Sequence, residues 1–335
     1  MDDTTRRVQE MYEAFPYPSP KSEGQGLKEL RNLLTIFNSE NHYDFAGKRV
    51  LDAGTGTGHR LIEAARALPR TQFVAVDVSE APLEIARRRA ADQGVANVEF
   101  RLCNLMEDTA SLGVFDVILC MGVLHHLSDP GAGLRRLAAH LAEDGLLFLY
   151  IYGTRGVRER MRRKQIVSIL LGAGSQDFER GIALVKDLKF DSFEYGWNLN
   201  AGDEESRNSL IVDAYLNVHE RSYEAEGIFG LMRESGLDGF ATYGITLEQR
   251  GALFDSRYRP GARGLMEFTD VGKHLPTEAL KDAYSKLSVA DRYRLIDLLF
   301  EPNGYTLVAF REAGFAKFDP SGRVAANRIR VAGLK

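Results

Sequence analysis

The sequence predicts an α/β protein built on a doubly wound sheet with helices on both faces, and three observations carry that prediction. Between residues 46 and 153 short apolar runs alternate with amphipathic stretches, the order expected when helices connect parallel strands. The runs are apolar on consecutive residues, which marks strands covered on both faces. One of them, Val50-Leu51-Asp52-Ala53, passes directly into the loop Gly54-Thr55-Gly56-Thr57-Gly58, and glycine allows a tight turn in which a ligand reaches bare backbone.

Residues 4–15 read as a short helix that Pro16, Pro18 and Pro20 break, and residues 27–37 as another. Together residues 1–45 form an expected N-terminal helical cover. The core, 46–153, holds strands at 49–53, 73–78, 98–103, 115–121 and 146–152, with helices at 59–68, 81–93 and 131–141. Pro82 sits near a helix start, where its missing N–H does least harm. Residues 154–221 form an insertion on the substrate side, with a basic helix, a Gly-Ser turn and the aromatic run Phe190, Phe193, Tyr195, Trp197. The core resumes at 222–246 with a helix over 223–235, capped by Ser222, and a strand over 240–245. A helical insertion at 247–303 lies inside a closing β-hairpin whose last strand, 305–311, falls in the segment 304–317. The tail, 318–335, has no assigned element.

Composition narrows the function classes. The chain has 335 residues, of which 44% are hydrophobic and 27% charged, enough for large cores without disulfide or metal staples. Its 43 basic and 47 acidic side chains give a net charge of −4, which disfavours a dedicated nucleic-acid binder. Cys103 and Cys120 are too few for a disulfide framework and read as buried thiols. The opening residues lack the apolar stretch of a secretory signal, and the longest apolar run, 146–152, is far shorter than a membrane span. A cytoplasmic protein without a membrane partner is expected; a homodimer is left open.

Several residues can carry chemistry. The helix after the glycine loop offers unpaired N–H groups to an anion, but a dinucleotide fingerprint fails here, because the third glycine is Gly58 and His59 stands where that pattern needs one. Asp77, closing the second strand, can accept two hydrogen bonds from a ribose diol, or simply cap a turn. Asn104 could reach an adenine amino group and Leu105 stack on its ring, although a plain strand-end Asn is the simpler account. Cys120-Met121-Gly122-Val123-Leu124-His125-His126 puts polar groups beside the same crevice.

At these residues the chain resembles the class I S-adenosylmethionine-dependent methyltransferases. The resemblance is close over about 46–153 and loose over 222–311. It rests on Asp52-Ala53-Gly54-Thr55-Gly56-Thr57-Gly58, Asp77, Phe115-Asp116-Val117-Ile118-Leu119-Cys120 and Val123-Leu124-His125-His126-Leu127. It implies a Rossmann-like seven-stranded sheet with an N-terminal lid and mainly helical insertions. It also implies that the loop from Asp52 through Gly54, Thr55, Gly56 and Gly58 holds the methionine part of S-adenosyl-L-methionine. Asp77 with Val78 would take the ribose, Asn104 with Leu105 the adenine, and Met121 the wall beside the sulfonium; the product is S-adenosyl-L-homocysteine. Many members carry Asp where this chain has Asn104. The stretch Tyr12-Glu13-Ala14-Phe15-Pro16-Tyr17-Pro18 is similar to a segment that precedes the core in bacterial members. By that resemblance it folds over the cofactor, with Tyr12 and Tyr17 facing the site; an aromatic hook on the sheet is the competing reading.

Methyl transfer to an oxygen, nitrogen or carbon nucleophile is an in-line displacement that requires positioning, no metal and, for some acceptors, a base. His125 is expected to point into the substrate side and His126 the opposite way, with His219 as a third candidate. The aromatic run either lines a pocket or packs, packing being simpler. Arg155, Arg158, Arg160, Arg162, Arg163 and Lys164 read as a solvated helix, with an RNA or acidic surface as the alternative. The leading expectation is a small-molecule methyltransferase of specialised metabolism. Alternatives are an RNA or protein methyltransferase using residues 155–164, a non-catalytic cofactor-binding scaffold, and, most distantly, a NAD-dependent oxidoreductase.

Overall fold

Side chains of neighbouring strands alternate between two apolar layers, and this period of two builds the molecule. Val50, Ala75, Val117, Leu119 and Phe148 face one layer; Leu51, Val74, Ile118, Cys120 and Leu149 face the other. In the computed structural model, which describes residues 1–21, 29–107, 109–172, 174–191, 203–246, 266–267, 275–315 and 328–330, both faces of the sheet are therefore covered. The strands are β1 (Arg49–Ala53), β2 (Gln72–Asp77), β3 (Val98–Leu102), β4 (Phe115–Met121), β5 (Leu141–Tyr152), β6 (Gly239–Thr246), β7 (Met266–Glu267), β8 (Gly304–Phe310) and β9 (Arg328–Arg330). Seven of them form the order β3-β2-β1-β4-β5-β8-β6, with the short β7 and β9 added to β6. Strands β1 to β5 are parallel, and β8 is antiparallel to both β5 and β6. This is the Rossmann-like seven-stranded sheet with helices on both faces.

Helices α2 (Glu29–Asn41) and α3 (His59–Ala67) cover one face through Leu33, Phe37, Leu61 and Ala64. Three others, α5 (Pro130–Ala139), α9 (Ala225–Glu234) and α11 (Val289–Phe300), cover the opposite face through Leu134, Phe229, Met232 and Ile296. Between β2 and β3 runs α4 (Glu80–Asp92), and α10 (Glu278–Ser285) precedes α11.

Over the carboxyl ends of the strands stands a cap of α6 (Arg158–Leu171), α7 (Phe178–Asp187) and α8 (Glu204–Ile211), which runs on into a π-helical turn, Val212–Leu216. The first helix, α1 (Asp3–Ala14), belongs to this cap: Met11 is fully buried among Val167, Val185, Ile211 and Tyr215. Its start is fixed by Asp2, whose carboxylate accepts the Thr5 N–H at 2.8 Å. Its far end is tied to the core by Glu13, which accepts the N–H groups of Glu80 and Ala81 at the open end of α4, at 2.6 and 3.0 Å.

Some expectations shift. Ser222 caps no helix: Tyr223 donates its N–H to the Tyr152 carbonyl at 2.8 Å, which keeps it extended, so α9 begins at Ala225 after Glu224. Strand β5 starts five residues earlier than the apolar run, at Leu141, where Phe115 pairs before a bulge. In the tail, residues 328–330 form β9. Phe193, Tyr195, Trp197 and most of 247–274 lie outside the described residues, whereas Phe190 packs on Tyr215 with ring centroids 6.3 Å apart.

Ile118 sits mid-sheet with Leu51 and Leu147 as its strand neighbours and no exposure. Ile118→Ala should lower unfolding free energy by about 2–5 kcal/mol, measured by urea denaturation; a loss below 1 kcal/mol would contradict the close packing described.

Candidate active site

In an open α/β sheet the strand carboxyl ends meet a crevice, and ligands bind there. Here Gly54, Asp77, Cys103, Met121 and Tyr152, from or just after β1 to β5, line one cavity of about 210 Å³. Its cofactor end is made by the glycine loop. The N–H groups of Gly54 and Thr55 both donate to the Val76 carbonyl, at 2.8 and 2.9 Å, which bends the chain off the end of β1. The Gly56 N–H donates to Asp77 Oδ2 at 2.8 Å, and the Ser79 N–H to Oδ1 at 3.0 Å. Gly54 and Gly56 have φ of +81° and +55°, a region that favours glycine. A Cβ at Gly56 would stand 2.5 Å from the Tyr17 carbonyl oxygen, and one at Gly54 would collide with Val123.

The loop is also held from above. Thr57 donates through its hydroxyl to the Pro18 carbonyl at 2.7 Å, and Gln9 through its amide to the Val78 carbonyl at 2.8 Å. Tyr17, Pro18, Thr5, Val8 and Tyr12 thus join the cavity wall. Burial pushes the Asp77 carboxyl above its usual range, opposed by the N–H groups of Gly56, Ser79 and Val78. A carboxylate has about four acceptor sites, so these N–H groups leave it capacity for a ribose hydroxyl.

A polar atom here is orphaned: Asn104 Nδ2 is buried without a hydrogen-bond partner, and the residue lines the cavity. Asn104 Oδ1 accepts the Met106 N–H at 2.9 Å. Its amino group is unpartnered and suits an adenine ring nitrogen, while Oδ1 keeps a second lone pair for an adenine amino group. Leu105 and Val78 stand beside it in the wall.

Residues 44–164 match the model of the methyltransferase domain family. They are a class I methyltransferase domain. The cofactor of this domain is S-adenosyl-L-methionine, and the bare loop, the Asp77 carboxylate and the orphaned Asn104 amino group fit it. An uncharacterized protein of a Synechococcus strain is 29% identical over 311 residues, covering 89% of this chain and 69% of that protein. A ubiquinone biosynthesis O-methyltransferase of Neisseria meningitidis is 38% identical over 120 residues, covering 35% of this chain. The chain spans 49% of that enzyme's length. The structure of PKMT2 from Rickettsia typhi in complex with AdoHcy superposes with a TM-score of 0.56 at 19% identity, covering 90% of this chain and 57% of that one. That likeness is one of fold.

Not every expected residue reaches the methyltransferase cavity. Asp52 lies behind the loop, buried, its carboxyl pushed up to about 6 by burial, with Thr55 and the Arg60 charge opposing. Arg60, in the first turn of α3, lines the cavity instead and could hold a carboxylate there. A Cβ on Gly58 would meet the Ala86 Cβ at 2.7 Å, so this glycine serves helix packing.

The histidines are corrected. Leu124–His126 form a 3₁₀ turn, in which residues three apart share a side; His126 lies with Val123 in the cavity wall, and His125 is turned beneath it. His125 is fully buried and stacks on Tyr152 at 3.9 Å. Burial, with His126 and Arg160 nearby, holds its pKa well below the usual value. His219 contributes its carbonyl, 2.8 Å from His126 Nδ1, and its ring does not line the cavity.

The basic run is not a solvated helix throughout. Arg162 and Arg163 pair with Glu159 at 2.7 and 3.0 Å on the outside of α6. Arg160 and Lys164 turn inward to Glu220, at 3.0 and 2.6 Å. Above them Tyr12 donates its hydroxyl to Asp213 at 2.9 Å and accepts from Asn217 at 3.2 Å. Tyr150, Tyr152, Arg160, Asp213 and Asn303 were missed as site residues. The position of Tyr150 and Tyr152 near a strand end was a readable signal; Asp213, on a π-helical turn, had none.

Asp77→Ala should weaken S-adenosyl-L-homocysteine binding roughly tenfold to a hundredfold, the loss of charge-assisted hydrogen bonds, as read by calorimetry. Unchanged affinity would remove Asp77 from the cofactor site.

Proposed function

We propose that this chain transfers the methyl group of S-adenosyl-L-methionine to an oxygen of a small-molecule acceptor bound between the glycine loop and the cap. The observation that carries this reading is the cavity's continuity from the loop to a wall made by Tyr12, Tyr152, Arg160, Asp213 and His126. The cofactor supplies, when bound, a sulfonium-activated methyl group. The rest falls to the protein, which must hold the acceptor in line, take its proton and exclude water.

His126 is placed for the proton. A carbonyl only accepts, so the 2.8 Å contact from Nδ1 to the His219 oxygen puts the ring hydrogen on Nδ1 and leaves Nε2 its lone pair. Burial lowers the pKa of His126, while the Asp213 and Glu220 charges oppose that fall; the same carboxylates would steady the imidazolium once the proton has moved. His125 and His219 support this ring rather than act themselves. The segment with Tyr12 and Tyr17 serves as the lid, anchored by Glu13 and by the clamp of Thr57 on Pro18.

A small acceptor is favoured over RNA because Arg160 and Lys164 pair with Glu220, Arg162 and Arg163 with Glu159, and Arg155 with Asp297 and Glu224. Oxygen is favoured because the Neisseria relative is named an O-methyltransferase and because a hydroxyl needs the base that His126 offers. Among the described residues no helix is long and apolar enough to cross a membrane.

Incubation with methyl-labelled cofactor and a panel of small phenols and catechols should yield labelled methyl ethers and S-adenosyl-L-homocysteine. Label appearing only in added RNA or protein, or cofactor binding without turnover of any of these, would refute the reading. His126→Ala should lower kcat at least about a hundredfold with product affinity within about twofold. Because the neutral ring is the active form and its pKa lies below the ordinary 6.5, the wild-type kcat/KM should fall with acid at a midpoint under that value. A variant retaining full kcat would remove His126 from the role.

A further inference from the structure

Arg160 is 9% exposed and lines the cavity. Its Nη1 is fully engaged, donating to the Ala214 carbonyl at 3.0 Å and to both oxygens of Glu220 at 3.0 Å. Its Nη2 is buried with no hydrogen-bond partner. The guanidinium carbon lies 4.9 Å from the Tyr152 ring centroid, which supports the plane from one side. A charged donor taken out of water and left unpaired is costly, so the group is built to be completed by something that enters the cavity.

The surroundings indicate what that is. Glu220 is shared between Arg160 and Lys164, 2.6 Å from the Lys164 Nζ, and the Asp213 charge acts on both cations as well. The charges are therefore balanced, and what Arg160 has left to offer is the open hydrogen-bonding edge of its guanidinium. A second orphan stands in the same wall: Asn303 Oδ1 is buried without a partner and, as an acceptor, suits a hydroxyl. A guanidinium edge with unused hydrogens matches a carboxylate in geometry as well as in sign.

We propose that the methyl acceptor is a small hydroxylated carboxylic acid whose carboxylate docks on Arg160 Nη2, a step that rests on the methyl-transfer reading above. Glu220 is the positioning residue, since its two bonds to Nη1 orient the guanidinium so that Nη2 faces the cavity. Asn303 takes a hydroxyl of the same ligand.

The test uses the full chain saturated with S-adenosyl-L-homocysteine, titrated by calorimetry with 3,4-dihydroxybenzoate and with 3,4-dihydroxybenzamide, which differ mainly in charge. The acid should bind at least tenfold more tightly than the amide. Arg160→Gln should bring the two within twofold while product affinity stays unchanged, and Arg160→Lys, which keeps the charge but not the fork, should preserve only part of the preference. Product binding certifies that each variant is folded. An acid that binds no better than the amide, including the case in which neither binds, overturns the docking role, as does a preference that survives Arg160→Gln. Failure of the wild type to bind S-adenosyl-L-homocysteine would instead overturn the methyl-transfer reading, and this proposal with it.

Discussion

The hydrogen bond from the Gly56 N–H to Asp77, 2.8 Å long, joins the turn after β1 to the end of β2, and the rest of the site is arranged around that junction. It holds the loop in a left-handed conformation, and that shape leaves no space for a side chain under the Tyr17 carbonyl. Residues 17 and 18 can therefore lie directly on the loop, and the helix preceding them reaches the open end of α4. A single carboxylate thus holds the loop on which the N-terminal segment is seated. It does so at a desolvation cost, which three backbone N–H groups offset only in part, since the net shift of its carboxyl is upward.

The cap shows the opposite balance of forces. Its apolar centre, with Met11, Val185 and Ile211, contributes stability by burial, yet its underside collects Arg160, Lys164, Glu220 and Asp213 away from solvent. Burial acts to raise the Glu220 carboxyl, but the Lys164 and Arg160 charges hold it below its usual range. Buried ion groups of this kind add little net stability compared with apolar packing. Arg160 and Asp213 stand at the wall of the cavity, a placement that serves recognition better than folding, and the unpartnered Arg160 Nη2 and Asn303 Oδ1 share that wall.

Much of the core was legible because parallel strands covered on both faces read as continuous apolar runs, and β1 and β4 begin and end where those runs do. The glycine loop and Asp77 were legible for a related reason: bare backbone and a strand-end carboxylate impose residue types. His126 was misjudged because its direction depends on the 3₁₀ turn, a local winding that the pattern Val123-Leu124-His125-His126 does not encode. The basic helix was misjudged because one face pairs locally with Glu159 while the other meets Glu220, 56 residues on from Lys164.

By itself the sequence determined the strand and helix order between residues 46 and 153, the loop that must be glycine and the acid that accompanies it, since these follow from backbone geometry and the burial of neighbouring residues. Only the tertiary structure decided which imidazole faces the cavity, that α1 belongs with the cap, and that Arg160 turns inward. Those outcomes depend on contacts between residues far apart in the chain, whose distances and desolvation come into being when the cap closes over the strand ends.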